Sequence, residues 1–174
     1  MVLKAGSLFL VGPMGAGKST LGRLLADMLG KTFVDSDRVI EERAGADIPW
    51  IFDLEGESGF RQRELQVLED LTRETGLVLA TGGGAVTRPE NRQVLAARGT
   101  VIYLRTAIPT QLRRTSKDRN RPLLQKPDPE AILTELLRQR EPHYLEIADI
   151  VVDTDDIHPR ALAEHIVATY RRAS

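Results

Sequence analysis

The chain contains no cysteine. That excludes disulfides, thiolate metal sites and cysteine nucleophiles, and it is in keeping with a reducing compartment. No apolar run approaches the roughly 18 residues that a membrane span needs. The N-terminal run Leu8–Val11 is too short for the apolar core of a secretion signal. Aromatics are scarce at 5%, and the formal net charge is only -1. A near-neutral chain has no overall pull toward nucleic acid or an anionic membrane, so any polyanion must be held by a local constellation. The expectation is an unprocessed cytoplasmic monomer with no nucleic-acid or membrane partner. Its 174 residues suit one domain spanning 1–174 with a substantial core.

What is present is an alternation of short apolar runs with helical stretches, the pattern of a parallel α/β sheet. The spacing predicts strands at Ser7–Val11, Thr32–Asp35, Leu77–Ala80, Val101–Leu104 and Ile150–Val152. None alternates apolar with polar residues, as expected of strands covered on both faces. Leu21, Leu24, Leu25, Met28 and Leu29 form a helical stripe, and Gly30 supplies a stop. Thr87-Arg-Pro-Glu90 has capping-box spacing for a helix running to about Arg98. Asp128-Pro129 and His158-Pro159 open two more helices. Arg113 to Pro129 is basic and poor in apolar residues, and reads as a long mobile segment; segments of that kind are usually functional or disordered.

Gly12-Pro-Met-Gly15-Ala16-Gly17-Lys18-Ser19 matches the G-x-x-x-x-G-K-[ST] pattern, between an apolar strand and a periodic helix. Glycines let successive N–H groups turn inward around a phosphate, and the helix start aims its positive end at the same anion. Lys18 then reaches the β- and γ-phosphates and Ser19 offers a hydroxyl to Mg²⁺. This predicts nucleoside triphosphate binding by Gly15 to Thr20. It does not name the acceptor.

On the acceptor side, Asp35-Ser36-Asp37 closes the second strand, where ligands bind in open α/β sheets. Asp35 near Mg²⁺ and Asp37 on an acceptor hydroxyl is one reading; Asp37 as cap of a helix around Val39–Arg43 is the other. Gly82-Gly83-Gly84 either exposes backbone to a ligand or forms a loose turn. Taken alone, Arg61 reads as a solvated residue of a Phe60–Leu71 helix, and Arg140, just before Glu141-Pro142, as a cation at a helix C-terminus.

The ordered set GPMGAGKST, DSD, FDLEGESGFRQRE, ATGGGAV, RPLL and REPHY resembles the shikimate kinase family over nearly the whole chain. The resemblance implies a nucleoside-monophosphate-kinase-like P-loop fold, a five-stranded parallel sheet flanked by helices, with a mobile lid at roughly 113–127. It implies transfer of the γ-phosphoryl of ATP to the 3-hydroxyl of shikimate, with Mg²⁺ held by Ser19 and Asp35. Asp37, Arg61, Gly83 and Arg140 are the implied shikimate ligands. An Arg fork suits a planar carboxylate, Asp37 accepts from hydroxyls and Gly83 offers an N–H. Lys18, Asp37 and Arg121 are the implied catalytic residues. Arg121 matches the lid arginine that approaches the ATP phosphates, Arg114 matches an arginine against adenine, and residues near Asp153–Asp155 fall beside the same base. Lys117 and Arg119 read as solvated.

Trp50 reads as a partly buried packing residue, or else as a wall of the acceptor pocket. His143, His158 and His165 lack metal-ligand spacing. Two rivals stay open on the sequence: a kinase of another polyol acid such as gluconate, and a noncatalytic ATP-sensing module.

Overall fold

The computed structural model describes residues 6–116 and 127–173. Five strands, β1 (Leu8–Val11), β2 (Thr32–Asp35), β3 (Leu77–Ala80), β4 (Thr100–Arg105) and β5 (Ile150–Asp153), form one sheet in the order β2-β3-β1-β4-β5. Every pairing is parallel. The helices between them are α1 (Lys18–Leu29), α2 (Ser36–Ala44), α3 (Ile48–Leu71), α4 (Pro89–Arg98), α5 (Ile108–Thr115), α6 (Pro129–Ile147) and α7 (Pro159–Ala173), with a 3-10 turn at Ala85–Thr87.

Alternate residues of the three central strands feed two separate cores, whereas edge strand β5 buries only Ile150 and Val152 and leaves Val151 exposed. Leu8 and Leu10 of β1 join Leu21 and Leu25 of α1 and Leu162, Ile166 and Val167 of α7. Phe9 and Val11 face the other way, onto Phe60, Leu68, Leu95 and Tyr144. A strand buried on both faces reads as a continuous apolar run, which is why β1, β3 and β4 were visible as blocks. Among the described residues no helix is long and apolar enough to cross a membrane.

Strand order carries the functional consequence. The central strand β1 lies between β3 and β4, so the chain turns in opposite directions on either side of it. Ligands of open α/β sheets sit at such a switch point, outside the carboxyl ends of the strands. The loops after all five strands leave from that one edge.

Several local expectations are corrected. The Thr87–Glu90 capping box does not form: Thr87 sits in the 3-10 turn with its hydroxyl on the Gly84 carbonyl, and α4 starts at Pro89 without a side-chain cap. The helix carrying Arg61 begins at Ile48 rather than Phe60. It breaks at Gly56 (φ 73°, ψ -180°), and Phe52 and Phe60 pack across the break with ring centroids 5.0 Å apart. Trp50 is 57% exposed, because its neighbour Ile51 takes the core-facing position of that turn. Arg113 and Arg114 belong to α5, so the segment read as mobile from Arg113 starts inside a helix. Asp128 does cap α6, its carboxylate accepting from the Ala131 N–H.

Candidate active site

The Gly12–Ser19 loop leaves β1 and enters α1 at Gly17, whose φ of 87° is a conformation that favours glycine. Lys18 folds back over the loop, its Nζ donating to the carbonyls of Gly12 (2.6 Å) and Pro13 (2.9 Å). Ser19 Oγ donates to Asp35 Oδ2 at 3.0 Å. The other oxygen of Asp35 accepts from the Asp37 N–H at 3.0 Å. Asp35 is therefore the cap of α2, and the reading of Asp37 as the cap is wrong. The chain turns into helix directly after Asp35, which sends the two carboxylates to different places.

Beside the loop lies a cleft bordered by Ala16, Gly17, Thr20, Arg114, Thr154 and Ile157. Arg114 bridges its walls, donating to the Gly15 carbonyl (3.0 Å) and to the Thr154 hydroxyl (3.3 Å) and carbonyl (3.2 Å). Of the Asp153–Asp155 stretch only Thr154 borders this cleft. Asp153 pairs with Arg105, and Asp155 accepts from the Ala107 N–H.

The acceptor candidates converge on the glycine run after β3. A Cβ on Gly84 would lie 2.1 Å from Arg61 Nη2 and 2.9 Å from Arg140 Nη2, and one on Gly82 would lie 2.8 Å from Asp37 Oδ1 and 3.0 Å from Glu64 Oε2. The run is thus neither loose nor incidental. Four charged side chains press against backbone that only glycine leaves open.

Arg61 and Arg140 are both buried, at 8% and 7% exposure. Neither is a solvated cation. Arg140 is not at a helix end either, since α6 continues through Pro142 to Ile147. Arg61 donates to Glu64 Oε1 at 2.8 Å, and Glu64 is fully buried. Arg61 Nε and Glu64 Oε2 are buried without a hydrogen-bond partner among the described residues. Burial pushes the Glu64 carboxyl above the ordinary carboxylate range, opposed by Arg61. Burial lowers the Arg140 pKa, and no carboxylate lies within ion-pair distance of that guanidinium among the described residues. A buried cation of this kind is costly unless something anionic meets it.

Gly83 presents an N–H with no internal partner among the described residues, while its carbonyl accepts from the Tyr144 hydroxyl at 2.6 Å. Glu64 and Tyr144 carried no role in the sequence reading. Arg61 and Glu64 stand at i, i+3 on one helix and Arg140 and Tyr144 at i, i+4 on another, spacings that signal contact. Arg121, Lys117 and Arg119 lie outside the described residues.

This geometry, a phosphate-type loop facing a buried two-arginine pocket at one switch point, can be set beside known proteins. The family model for shikimate kinase matches residues 14–171. The chain belongs to the shikimate kinase family. It is 59% identical to the shikimate kinase of Halorhodospira halophila over 92% of this chain and 90% of that one. The solved shikimate kinase of Acinetobacter baumannii, in complex with shikimate, superposes with a TM-score of 0.95 at 51% identity, covering 97% of this chain and 94% of that one. A gluconokinase from Sinorhizobium meliloti shares the fold alone, with a TM-score of 0.63 and 20% identity over 96% of this chain and 92% of that one. The family is one of ATP-dependent small-molecule kinases, and the five-stranded parallel architecture expected from the sequence is the one observed.

Proposed function

We propose that the chain transfers the γ-phosphoryl group of ATP to the 3-hydroxyl of shikimate. The observation that carries this reading is the pair of buried guanidinium groups, Arg61 and Arg140, against Gly84. Shikimate has one carboxylate and three hydroxyls on a small ring. Two converging Arg forks suit the carboxylate, Asp37 accepts from a hydroxyl, and the Gly83 N–H supplies a further donor.

On the nucleotide side, the backbone of Gly15 to Thr20 surrounds the phosphates, and Lys18 exchanges its loop carbonyls for phosphate oxygens. Arg114 borders the cleft that suits the adenine, with Thr154 opposite. Arg121, outside the described residues, is the matching second phosphate cation. The hard oxygens of Ser19 and Asp35, 3.0 Å apart beside the loop, fit Mg²⁺, which takes few protein ligands and keeps several waters. Bound Mg²⁺ supplies neutralisation of charge on the β- and γ-phosphate oxygens.

In the transfer, the 3-hydroxyl oxygen forms a bond to the γ-phosphorus while the bond from that phosphorus to the β–γ bridging oxygen breaks, releasing ADP. The hydroxyl proton passes to the Asp37 carboxylate. Phosphoryl transfer is dominated by positioning and charge stabilisation, so orientation of the hydroxyl is the larger part of Asp37's role.

A coupled ADP-release assay with a panel of acceptors tests the reading. Turnover should depend on shikimate. Faster turnover on gluconate would overturn the acceptor assignment, and binding of ATP without detectable shikimate binding would turn the chain into a nucleotide sensor.

A further inference from the structure

A run of three glycines is the most conformationally free floor a pocket can have, yet here it must hold two guanidinium groups in register. Each carbonyl of the run is anchored. Gly82 O accepts from the Ala85 N–H (3.1 Å), and Gly84 O accepts from the Thr87 N–H (3.1 Å) and hydroxyl (2.7 Å). Those anchors are local, within three residues. Gly83 O is held instead by Tyr144, 61 positions away in sequence and on a different element.

That element also bears Arg140. Residues four apart on a helix share a face, so α6 brings Arg140 and Tyr144 to the glycine run together. Tyr144 is itself fixed. Its ring stacks on Tyr103 with centroids 4.9 Å apart, and the Tyr103 hydroxyl donates to Glu141 at 2.5 Å. Burial pushes the Tyr144 phenol up to about 12, so it remains a donor throughout the neutral range.

We propose that Tyr144 is a positioning residue for the acceptor: its hydroxyl locks the peptide joining Gly83 to Gly84 to helix α6, so that the glycine floor and the Arg140 guanidinium keep one shared geometry toward a carboxylate-bearing ring. The peptide unit is planar. Holding the Gly83 carbonyl therefore sets the direction of the Gly84 N–H and fixes one dihedral of each glycine. The same oxygen also accepts from the Arg140 side chain, so without it the floor can rotate and the guanidinium loses a partner, and the pocket loses its match to a rigid ligand. The inference rests on the reading of the pocket as the shikimate site.

The test is Tyr144→Phe, which removes one oxygen and keeps the ring. The KM for shikimate is expected to rise about tenfold, the effect of about 1.4 kcal/mol of lost hydrogen bonding. The KM for ATP and kcat at saturating shikimate should stay within about twofold. Tyr103→Phe, which loses the contact to Glu141 and leaves Gly83 untouched, should leave the shikimate KM unchanged. A purely structural role would lower the melting temperature and move both KM values together or neither; either result overturns the proposal. Failure of the wild-type chain to turn over shikimate would sink the function itself, whereas wild-type activity with an unaltered Tyr144→Phe KM sinks only this inference. Should Tyr144→Phe not fold, fluorotyrosine carried at position 144 in a Tyr103→Phe/Tyr170→Phe background keeps the hydroxyl and lowers its pKa. Loss of the phenol proton removes the donor, so shikimate KM should rise at alkaline pH; fluorotyrosine should move that rise to lower pH, and a profile matching that of the unlabelled background protein overturns the proposal.

Discussion

On the nucleotide side of the cleft, Gly12 to Ser19 offers a turn of backbone and the start of α1, bordered by an exposed Thr20 and Arg114. On the acceptor side, Arg61, Glu64 and Arg140 are each at most 8% exposed and pack against Gly82–Gly84. The first surface is generic and made of N–H groups, which suits a triphosphate common to many enzymes. The second is specific and made of charges withdrawn from water. Such charges attract strongly but are costly to hold without partners, and breaking a buried pair costs about 3–5 kcal/mol. Glu64 meets that cost for Arg61, whereas among the described residues no carboxylate lies within ion-pair distance of Arg140. Selectivity in this molecule lives where the desolvation is.

Four measurements would break or sharpen that contrast. The largest effect should come from Asp37→Asn, which keeps the shape and removes the proton acceptor. A fall in kcat of about 10²–10⁴-fold is expected, with ATP affinity by calorimetry within about twofold. Turnover like that of the wild type would remove Asp37 from the mechanism.

Next comes Gly84→Ala, whose Cβ would lie 2.1 Å from Arg61 Nη2. Displacing that guanidinium from Glu64 should raise the shikimate KM by about 100-fold, corresponding to about 3 kcal/mol. The ATP KM should hold. An equal rise for both substrates would erase the distinction between the two sides.

Arg114→Ala is the mirror experiment. It removes three hydrogen bonds from an exposed wall, so steady-state kinetics should show only about a fivefold rise in ATP KM and none for shikimate. A larger effect on shikimate would mean that the two surfaces are coupled through α5.

The smallest effect concerns pH. A carboxyl whose folded pKa is raised, as burial does to Glu64, contributes stability that is complete below its unfolded value of 4.5 and is lost as pH rises through the folded value. Wild-type urea midpoints should therefore decline over that window, and Glu64→Gln should flatten the decline. An unchanged slope would assign the pH dependence to other groups.

The two regions also differ in how far they could be read without coordinates. The phosphate loop is contiguous, its strand and helix flank it, and Gly17, Lys18 and Ser19 stand where the pattern puts them. The five strands were visible because each is short and mostly apolar; the three central ones are covered on both faces, whereas β5 alternates buried and exposed residues. Asp35 and Asp37 were seen as a pair, but which of them caps α2 depended on where the strand turns into helix. Arg61 and Arg140 looked like ordinary helix-surface cations until residue resemblance set them apart. Trp50, an apparent packing residue, stands in solvent. The expected lid arginine, Arg121, lies outside the described residues.

Local order along the chain was therefore sufficient for the nucleotide cradle and the sheet, since hydrophobic period, glycine placement and helix stops act over a few residues. Tertiary structure alone decided that Arg61, Glu64, Arg140 and Tyr144 meet at Gly82–Gly84. Burial and charge pairing arise when α3, α6 and the loop after β3 are packed together, and no single segment carries that information. The physical reason is desolvation, which a side chain experiences only once its distant neighbours have taken the water away.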